Sequence, residues 1–439
     1  MFLPEPVLQC IQTLEQAGFE AYAVGGCVRD ALLGLQPHDY DLCTGATPQM
    51  TARLFSQYPL VRSGEKHGTI GVVMGKDVIE ITTFRTEGGY QDSRHPDWVR
   101  FVTAIEEDLA RRDFTVNAMA YSPIRGYIDP FGGQQDLQNR ILRTVGCPGD
   151  RFREDALRIL RGVRFSVRYQ LSPEAATLQA MKALASTMET LANERVFEEL
   201  CKLLPFVTAK DLLAYIPVLI AVLPELAPSV SFEQRTPYHR YDVFTHTAHV
   251  VEATPPVLAL RWAALLHDCG KPASFQPDEN GRAHFPSHAN ISGEMADAAL
   301  LRLKAPTALR EQVVFLVAHH MLPLEPDKRL LRRRLGKYGQ QALLDLLALQ
   351  QADVLGMGTD GDLSLFRQLH TLIEEVLSEE ACLTVKDLHI NGQDLLSLGF
   401  SAGPQLGKCL QWLLERVQDE RLPNAREALL RAAADYLKT

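Results

Sequence analysis

No stretch of roughly 18 consecutive apolar residues occurs in the chain, so the sequence offers no helix long enough to cross a bilayer. The opening MFLPEPVLQC lacks a basic start and a long apolar core, and so does not read as a signal peptide. The cysteines stand singly at 10, 27, 43, 147, 201, 269, 382 and 409, and none forms a C-x-x-C pair. That scatter argues against a disulfide framework or a zinc knuckle, and points to reduced thiols in a cytoplasmic protein. There is no low-complexity tract, no convincing internal repeat and no long basic C-terminal tail; the last stretch, LPNAREALLRAAADYLKT, is mixed in charge. A net charge of −9 argues against a chain coated in nucleic acid.

What is present is ordinary in bulk and uneven in detail. With 439 residues, 46% of them hydrophobic, the chain can bury the cores of about two to four domains. Eight arginines lie between Arg140 and Arg168, opposed only by Asp150, Glu154 and Asp155. A second basic run, KRLLRRRLGKY from Lys328 to Tyr338, carries six cations and no acid. Local patches of this kind can meet a polyanion that the net charge would repel; a solvated helix face accounts for the second run equally well. AYAVGG, YDLC, TIGVVM and VIEITTF read as strands punctuated by glycine. From about Ala156 the period becomes helical, with Ala156, Leu160, Val163 and Val167 on one stripe. The expected architecture is an α/β head over 1–140, a helical neck over 141–205, a helical body over 206–355 and a helical tail over 356–439.

Three pieces of the head fit one chemistry. In VGGCVRDALLG, Gly25 and Gly26 follow a strand and open a helix, where backbone can approach a phosphate and Arg29 adds a cation. In HDYDLCT, Asp39 and Asp41 are two apart, which puts both carboxylates on one face of a strand. Such a pair calls for a bridging cation, and magnesium is the natural occupant; an outward acid pair on a surface strand is the bland alternative. Glu80 in VIEITTF is a third carboxylate in reach. In RRDFTVNAMAY, Arg111 and Arg112 can fork onto phosphates, with Asp113 orienting one of them. RFREDALRILRGVRF then supplies a reader: on a continuous helix Glu154 and Asp155 both neighbour Arg158. An aspartate accepts and an arginine donates, which meets the Watson–Crick edge of a base. Arg161 and Arg164 continue along the helix toward phosphates.

GGxVRDxLLG, DxD, RRDFTxNAMA, DPFGG, RxREDxxRxLR and LANERVFEEL occur in that order between about Tyr22 and Leu200. This set resembles the class II tRNA nucleotidyltransferases, the CCA-adding enzymes, and their relatives the bacterial poly(A) polymerases. The resemblance implies a polymerase-β-like nucleotidyltransferase head and two-metal addition of CCA to the 3′ end of tRNA from CTP and ATP. It implies catalytic magnesium on Asp39 and Asp41, triphosphate contacts from Gly25, Gly26, Arg29, Arg111 and Arg112, and Asp155 with Arg158 as a protein template, beside Arg161 and Arg164. The polar segment Arg85 to Val102 is full length, whereas enzymes of this family that add only CC have it shortened; that favours terminal A addition. An A-adding enzyme or a poly(A) polymerase is the alternative within the family, and a phosphohydrolase with an RNA-binding head, or an RNA-binding protein without catalysis, lies outside it.

The body carries a second constellation. VFTHTAHVV, ALLHDCGKP, FPSHANISG, VAHHMLP and QQADVLG place histidines near an adjacent His-Asp pair and a downstream aspartate. Imidazole and carboxylate together suit a divalent transition metal able to activate water toward a phosphate ester. The pattern resembles the HD phosphohydrolase domain. Carried over from that family, the metal ligands would be His246, His267, Asp268 and Asp353, and His288 and His319 match the additional histidines of metal-richer members.

Overall fold

The computed structural model describes residues 1–88, 98–235, 240–358, 361–379 and 381–438. The chain divides into two compact units, one of residues 1–207 with 211–224 and one of 208–210 with 225–439.

The first unit opens with a mixed sheet. Its strands are β1 (Ala21–Val24), β2 (Asp41–Thr44), β3 (Leu60–Val61), β4 (Thr69–Met74) and β5 (Asp77–Thr83). A separate two-stranded ribbon pairs β6 (Arg85–Gly88) with β7 (Trp98–Phe101), and β8 (Ala120–Ser122) and β9 (Gly126–Ile128) return to the sheet. The order is β3-β4-β5-β2-β1-β8-β9. Only β2 and β5 run parallel, with Asp41 opposite Glu80; the other pairs in the sheet are antiparallel. The four strand-like runs of the sequence are therefore all strands, because Val, Ile and Thr alternate against a buried face. Tyr22, Val24, Cys43 and Phe84 form that face and pack on Ile105 and Leu109 of the following helix.

The helical part of the unit places two helices against each other, Leu157–Tyr169 and Asn193–Leu203. The expected stripe is buried: Ala156, Leu160, Val163 and Val167 are each at most 8% exposed. Phe165 meets Phe114 of the head edge to face, with ring centroids 5.7 Å apart, which ties the RRDFT segment to the helix.

One expectation about this helix is corrected. RFREDALRILRGVRF is not continuous. A helix runs from Pro148 to Glu154, Asp155 is extended (φ −146°, ψ 105°), and a new helix starts at Leu157. The Asp155 carboxylate accepts from the Leu157 N–H at 3.0 Å, so the same side chain that ends one helix starts the next.

Among the described residues, the regular structure of the second unit is helical apart from a short hairpin at Gln276–Pro277 and Ala283–His284. Helices Val243–Ala253, Leu258–Leu266, His288–Arg302, Thr307–His319 and Gln340–Gly356 pack together. Two further apolar clusters follow, one around Leu331, Leu343 and Leu369 and one around Leu395, Leu413 and Leu429. The basic helix Lys328–Tyr338 buries Leu331 and Leu335 in the former. Its Lys328, Arg332 and Arg333 pair with Glu375, Glu379, Glu420 and Asp419, so much of its charge is spent on the protein itself.

Candidate active site

A cleft of about 640 Å³ in the first unit brings the sequence-predicted residues together. Gly25, Gly26, Arg29, Asp39, Asp41, Arg111, Arg112, Asp155, Arg158, Arg161 and Arg164 all line it. Asp41 is the first residue of β2, and Asp39 precedes it by one period of the extended chain. Glu80, opposite Asp41 in β5, lines a neighbouring cavity of about 1090 Å³ that shares Asp39 and Asp41 with the cleft. The Asp41 side chain reaches solvent, yet the surrounding wall crowds its carboxyl. Its pKa is raised first by that desolvation and then by Glu80 and Asp39, with Arg112 opposing. A carboxyl whose pKa is raised by neighbouring carboxylates marks a site short of positive charge.

Gly25 joins β1 to the helix Gly26–Leu32 with φ +72°, and a Cβ there would lie 2.8 Å from Nη1 of Arg112. The position needs glycine on both counts.

Buried carboxylates hold the arginines. Arg29, 6% exposed, donates to Asp30 at 2.7 and 2.9 Å, to Asn117 at 2.5 Å and to the Tyr169 hydroxyl at 2.5 Å. Asp108 is fully buried and accepts from Arg111 at 2.8 Å and from Arg112 at 3.2 Å. Burial pushes its pKa up, but the two guanidiniums outweigh this and leave it below its ordinary value. Asp113 accepts from Arg161 at 2.8 Å and from Asn117 at 3.0 Å. There too burial is overcome, by Arg161, Asn117 and Arg158, and the carboxyl lies well below its usual range. Glu199 accepts from Nε of Arg164 at 2.5 Å. Arginines fixed in this way present charge without having to be ordered when an anion arrives.

Two pairings differ from the sequence reading. Asp113 holds Arg161 rather than Arg111 or Arg112, whose partner is Asp108. Asp155 and Arg158 do not pair with each other either. The helix break turns Asp155 to Arg195, 2.7 Å away, while Arg158 donates to Glu154 at 2.5 Å and to the Arg111 carbonyl at 3.1 Å.

Residues 21–143 match the family described as the poly A polymerase head domain. Residues 170–227 match "Probable RNA and SrmB- binding site of polymerase A", and 273–433 match "tRNA nucleotidyltransferase domain 2 putative". The CCA-adding enzyme of Latilactobacillus sakei is 35% identical over 98% of each chain, and that of Streptococcus gordonii 35% identical over 97% of this chain and 96% of its own. The chain belongs to the CCA-adding enzymes. Its fold also matches the crystal structure of the Bacillus stearothermophilus CCA-adding enzyme in complex with CTP, with a TM-score of 0.73 and 28% identity over 99% of this chain and 98% of that one.

In this CCA-adding enzyme family member the second unit has a cluster of its own. His246 lies on the helix Val243–Ala253, His267 and Asp268 follow the helix Leu258–Leu266, and Asp353 lies on Gln340–Gly356. Nε2 of His246 is 2.9 Å from Asp353 and 3.4 Å from Asp268; Nε2 of His267 is 3.2 Å from Asp268. On the far side of Asp268 stand His288, at 3.5 Å, and His320, at 3.8 Å. The additional histidine is thus His320, not His319: one residue on, the chain turns, and His319 instead stacks on Phe315 outside the cluster. Ligand atoms of His246, His267 and Asp268, and of Asp268, His288 and His320, lie within 4.8 Å of one another. Gly270 lets this turn approach the helix His288–Arg302, since a Cβ there would lie 2.6 Å from the Ser292 nitrogen.

The donor set fits a metal. Nδ1 of His267, His288 and His320 each lies 2.7–2.9 Å from a backbone carbonyl, which aims Nε2 inward as the lone-pair atom. Nε2 of His267 and both oxygens of Asp268 are buried without a well-formed hydrogen bond. Burial lowers the His267 pKa, but Asp268 and Asp353 prevail and lift it to about 10; a metal on Nε2 would take the place of that proton. His320 goes the other way, to about 4, through burial and the charge of His267.

Several participants escaped the sequence reading: Asp108, Asn117, Tyr169, Arg195, Glu199 and Lys271. Asn117 lies inside RRDFTxNAMA, and Arg195 and Glu199 inside LANERVFEEL, so the motifs held the signal. Asp108 lies outside any quoted motif, and only its fully buried position marks it.

Proposed function

We propose that the chain adds C-C-A to the 3′ end of tRNA, one nucleotide at a time, from CTP and ATP and without a nucleic-acid template. The observation that carries this reading is the cleft in which Asp39 and Asp41 face a framework of arginines fixed by buried acids. Asp39, Asp41 and Glu80 suit two magnesium ions, which when bound lower the pKa of an attacking hydroxyl and neutralise a departing pyrophosphate. Arg29, Arg111 and Arg112 grip the triphosphate, and the glycine at 25 keeps the backbone and Arg112 in close register.

Asp155 and Arg158 read the base. Cytosine and adenine each present an amino donor beside a ring-nitrogen acceptor, whereas uracil and guanine present a carbonyl beside an N–H. An acceptor next to a donor selects the first pair. Arg158 is already fixed by Glu154 and two carbonyls, while Asp155 turns from Arg195 to the amino group as the base enters. The segment between β6 and β7 that bears on terminal A addition includes 89–97, which lie outside the described residues.

The test uses tRNA transcripts ending before CCA, after C and after CC, each with labelled CTP, ATP or both. Completion of all three to CCA, with a stop there, is the expected result. A single A added to the CC-ended transcript alone identifies an A-adding enzyme, and long A tails a poly(A) polymerase.

A second activity is favoured by the histidine cluster. The chain carries an HD-type metal centre on His246, His267, Asp268 and Asp353, flanked by His288 and His320. A divalent transition metal there supplies Lewis acidity and an activated water for phosphate-ester hydrolysis. Lys271, itself buried, has its Nζ 2.7 Å from Asp268 and donates to Gln234 at 2.8 Å, which places its amino group beside the aspartate. Hydrolysis of 2′,3′-cyclic phosphates or phosphate monoesters that depends on added metal and is lost in Asp268→Ala supports this; no such hydrolysis with any divalent metal removes it.

A further inference from the structure

Two cations lining the cleft stand apart from the others. Arg29, Arg111, Arg112, Arg158, Arg161, Arg164 and Arg195 each have a carboxylate within 4 Å. Arg168 and Lys202 have none among the described residues, although both line the cleft. Arg168 lies in the last turn of the helix Leu157–Tyr169, and Lys202 in the last turn of Asn193–Leu203. The Arg168 guanidinium lies near two aromatic rings instead, 5.3 Å from the centroid of Tyr169 and 5.5 Å from that of Phe206. Phe206 follows in the short turn Leu204–Phe206 and is 49% exposed.

An exposed phenylalanine alone carries no meaning. Here it adjoins Arg168 and follows, one helical turn on in sequence, Lys202, the two cleft cations left uncompensated among the described residues, at the ends of helices whose other arginines are neutralised. Unpaired cations beside an exposed ring are what a single strand of nucleic acid requires: charge for its phosphates and a face for a base. All three residues lie within or just before the segment 170–227 that matches a probable RNA-binding family, Arg168 two residues ahead of it.

Building on the tRNA reading above, we propose that Arg168, Lys202 and Phe206 form the seat for the single-stranded 3′ end of the RNA substrate. Arg168 and Lys202 take backbone phosphates, and Phe206 stacks on one unpaired base near the growing end. Nucleoside triphosphate uses the paired arginines; the RNA uses the unpaired ones. The two substrates are thereby held by separate groups within one cleft.

The experiment measures RNA affinity and nucleotide KM separately on the full chain. Binding of a tRNA ending before CCA is followed by fluorescence anisotropy, without nucleotide, across a salt series. Arg168→Met with Lys202→Met is expected to flatten the slope of log K against log salt by about 1.4, at about 0.7 per single-strand phosphate contact. Phe206→Leu is expected to weaken binding about 5- to 100-fold with the slope unchanged, and Phe206→Tyr to restore it. The KM for CTP stays at its wild-type value in all of these variants. Unchanged RNA affinity and slope in variants with wild-type thermal unfolding would overturn the proposal, as would a raised CTP KM in its place, which would assign the cations to the triphosphate. If the wild-type protein itself binds no tRNA, it is the tRNA reading that fails, and with it the premise of this one.

Discussion

At the scale of single residues, the cleft is built on buried charge rather than on exposed charge. Asp108 sits at zero exposure beneath two arginines, and Asp113 at 7% beneath Arg161. A buried carboxylate is costly alone and tolerable when paired, so each acid fixes its arginine and each arginine justifies its acid. Gly25 is the tightest point of this arrangement. Gly25→Ala forces a side chain into a left-handed backbone and into the Arg112 guanidinium. The backbone strain alone is about 1–3 kcal/mol, and a displaced Arg112 is expected to slow nucleotide addition by about tenfold or more, since roughly 1.4 kcal/mol of barrier is a factor of ten. Single-turnover rates with saturating CTP read this directly; a wild-type rate would mean that Arg112 does not serve the triphosphate.

At the scale of elements, ion pairs join helices to one another and to the head. Arg161 links the helix Leu157–Tyr169 to Asp113 of the RRDFT segment, and Arg164 links it to Glu199 on Asn193–Leu203. The depressed pKa of Asp113 makes part of this stability pH-dependent. Its contribution is present in full above the unfolded value near 3.9 and is lost as pH falls from there toward the lower folded value. Asp113→Asn is therefore expected to cost about 3–5 kcal/mol at neutral pH and to flatten the acid limb of stability below about pH 4. Urea unfolding across a pH series tests both parts; a variant with the wild-type acid slope would show that the pair does not couple to folding. Elements also explain what could be read in advance. The strands β1, β2, β4 and β5 and the stripe from Ala156 to Val167 follow from hydrophobic period, which local sequence contains. The break at Asp155 does not, because a carboxylate can extend a helix or cap the next one, and Arg195, 40 residues on, decides which.

At the scale of the whole molecule, the chain carries two constellations of polar chemistry, one in each compact unit. Their ligands do not overlap, so the activities proposed for them are separable by mutation. Asp39→Ala is expected to abolish nucleotide addition and leave metal-dependent ester hydrolysis in place, and Asp268→Ala to do the reverse. Assaying both activities on both variants checks this; loss of both in either variant, with normal unfolding, would mean the two sites share a step. Net charge bears on this scale as well. A chain of −9 must meet RNA through local cations, so its RNA affinity is expected to fall steeply with salt.

The sequence by itself determined the kinds of element, the family and the residues that gather in the cleft, because strand and helix periods and the motif spacings are local properties of the chain. By its resemblance to the HD pattern it also grouped His246, His267, Asp268 and Asp353 as candidate ligands, and those side chains lie close together. Tertiary structure alone decided the partners: Asp108 for Arg111 and Arg112, Arg195 for Asp155, Glu154 for Arg158, and His320 in place of its neighbour His319. The reason is physical. Which residues carry charge is written in the chain, but which charges meet depends on how buried acids must be compensated, and that is settled only when distant segments pack.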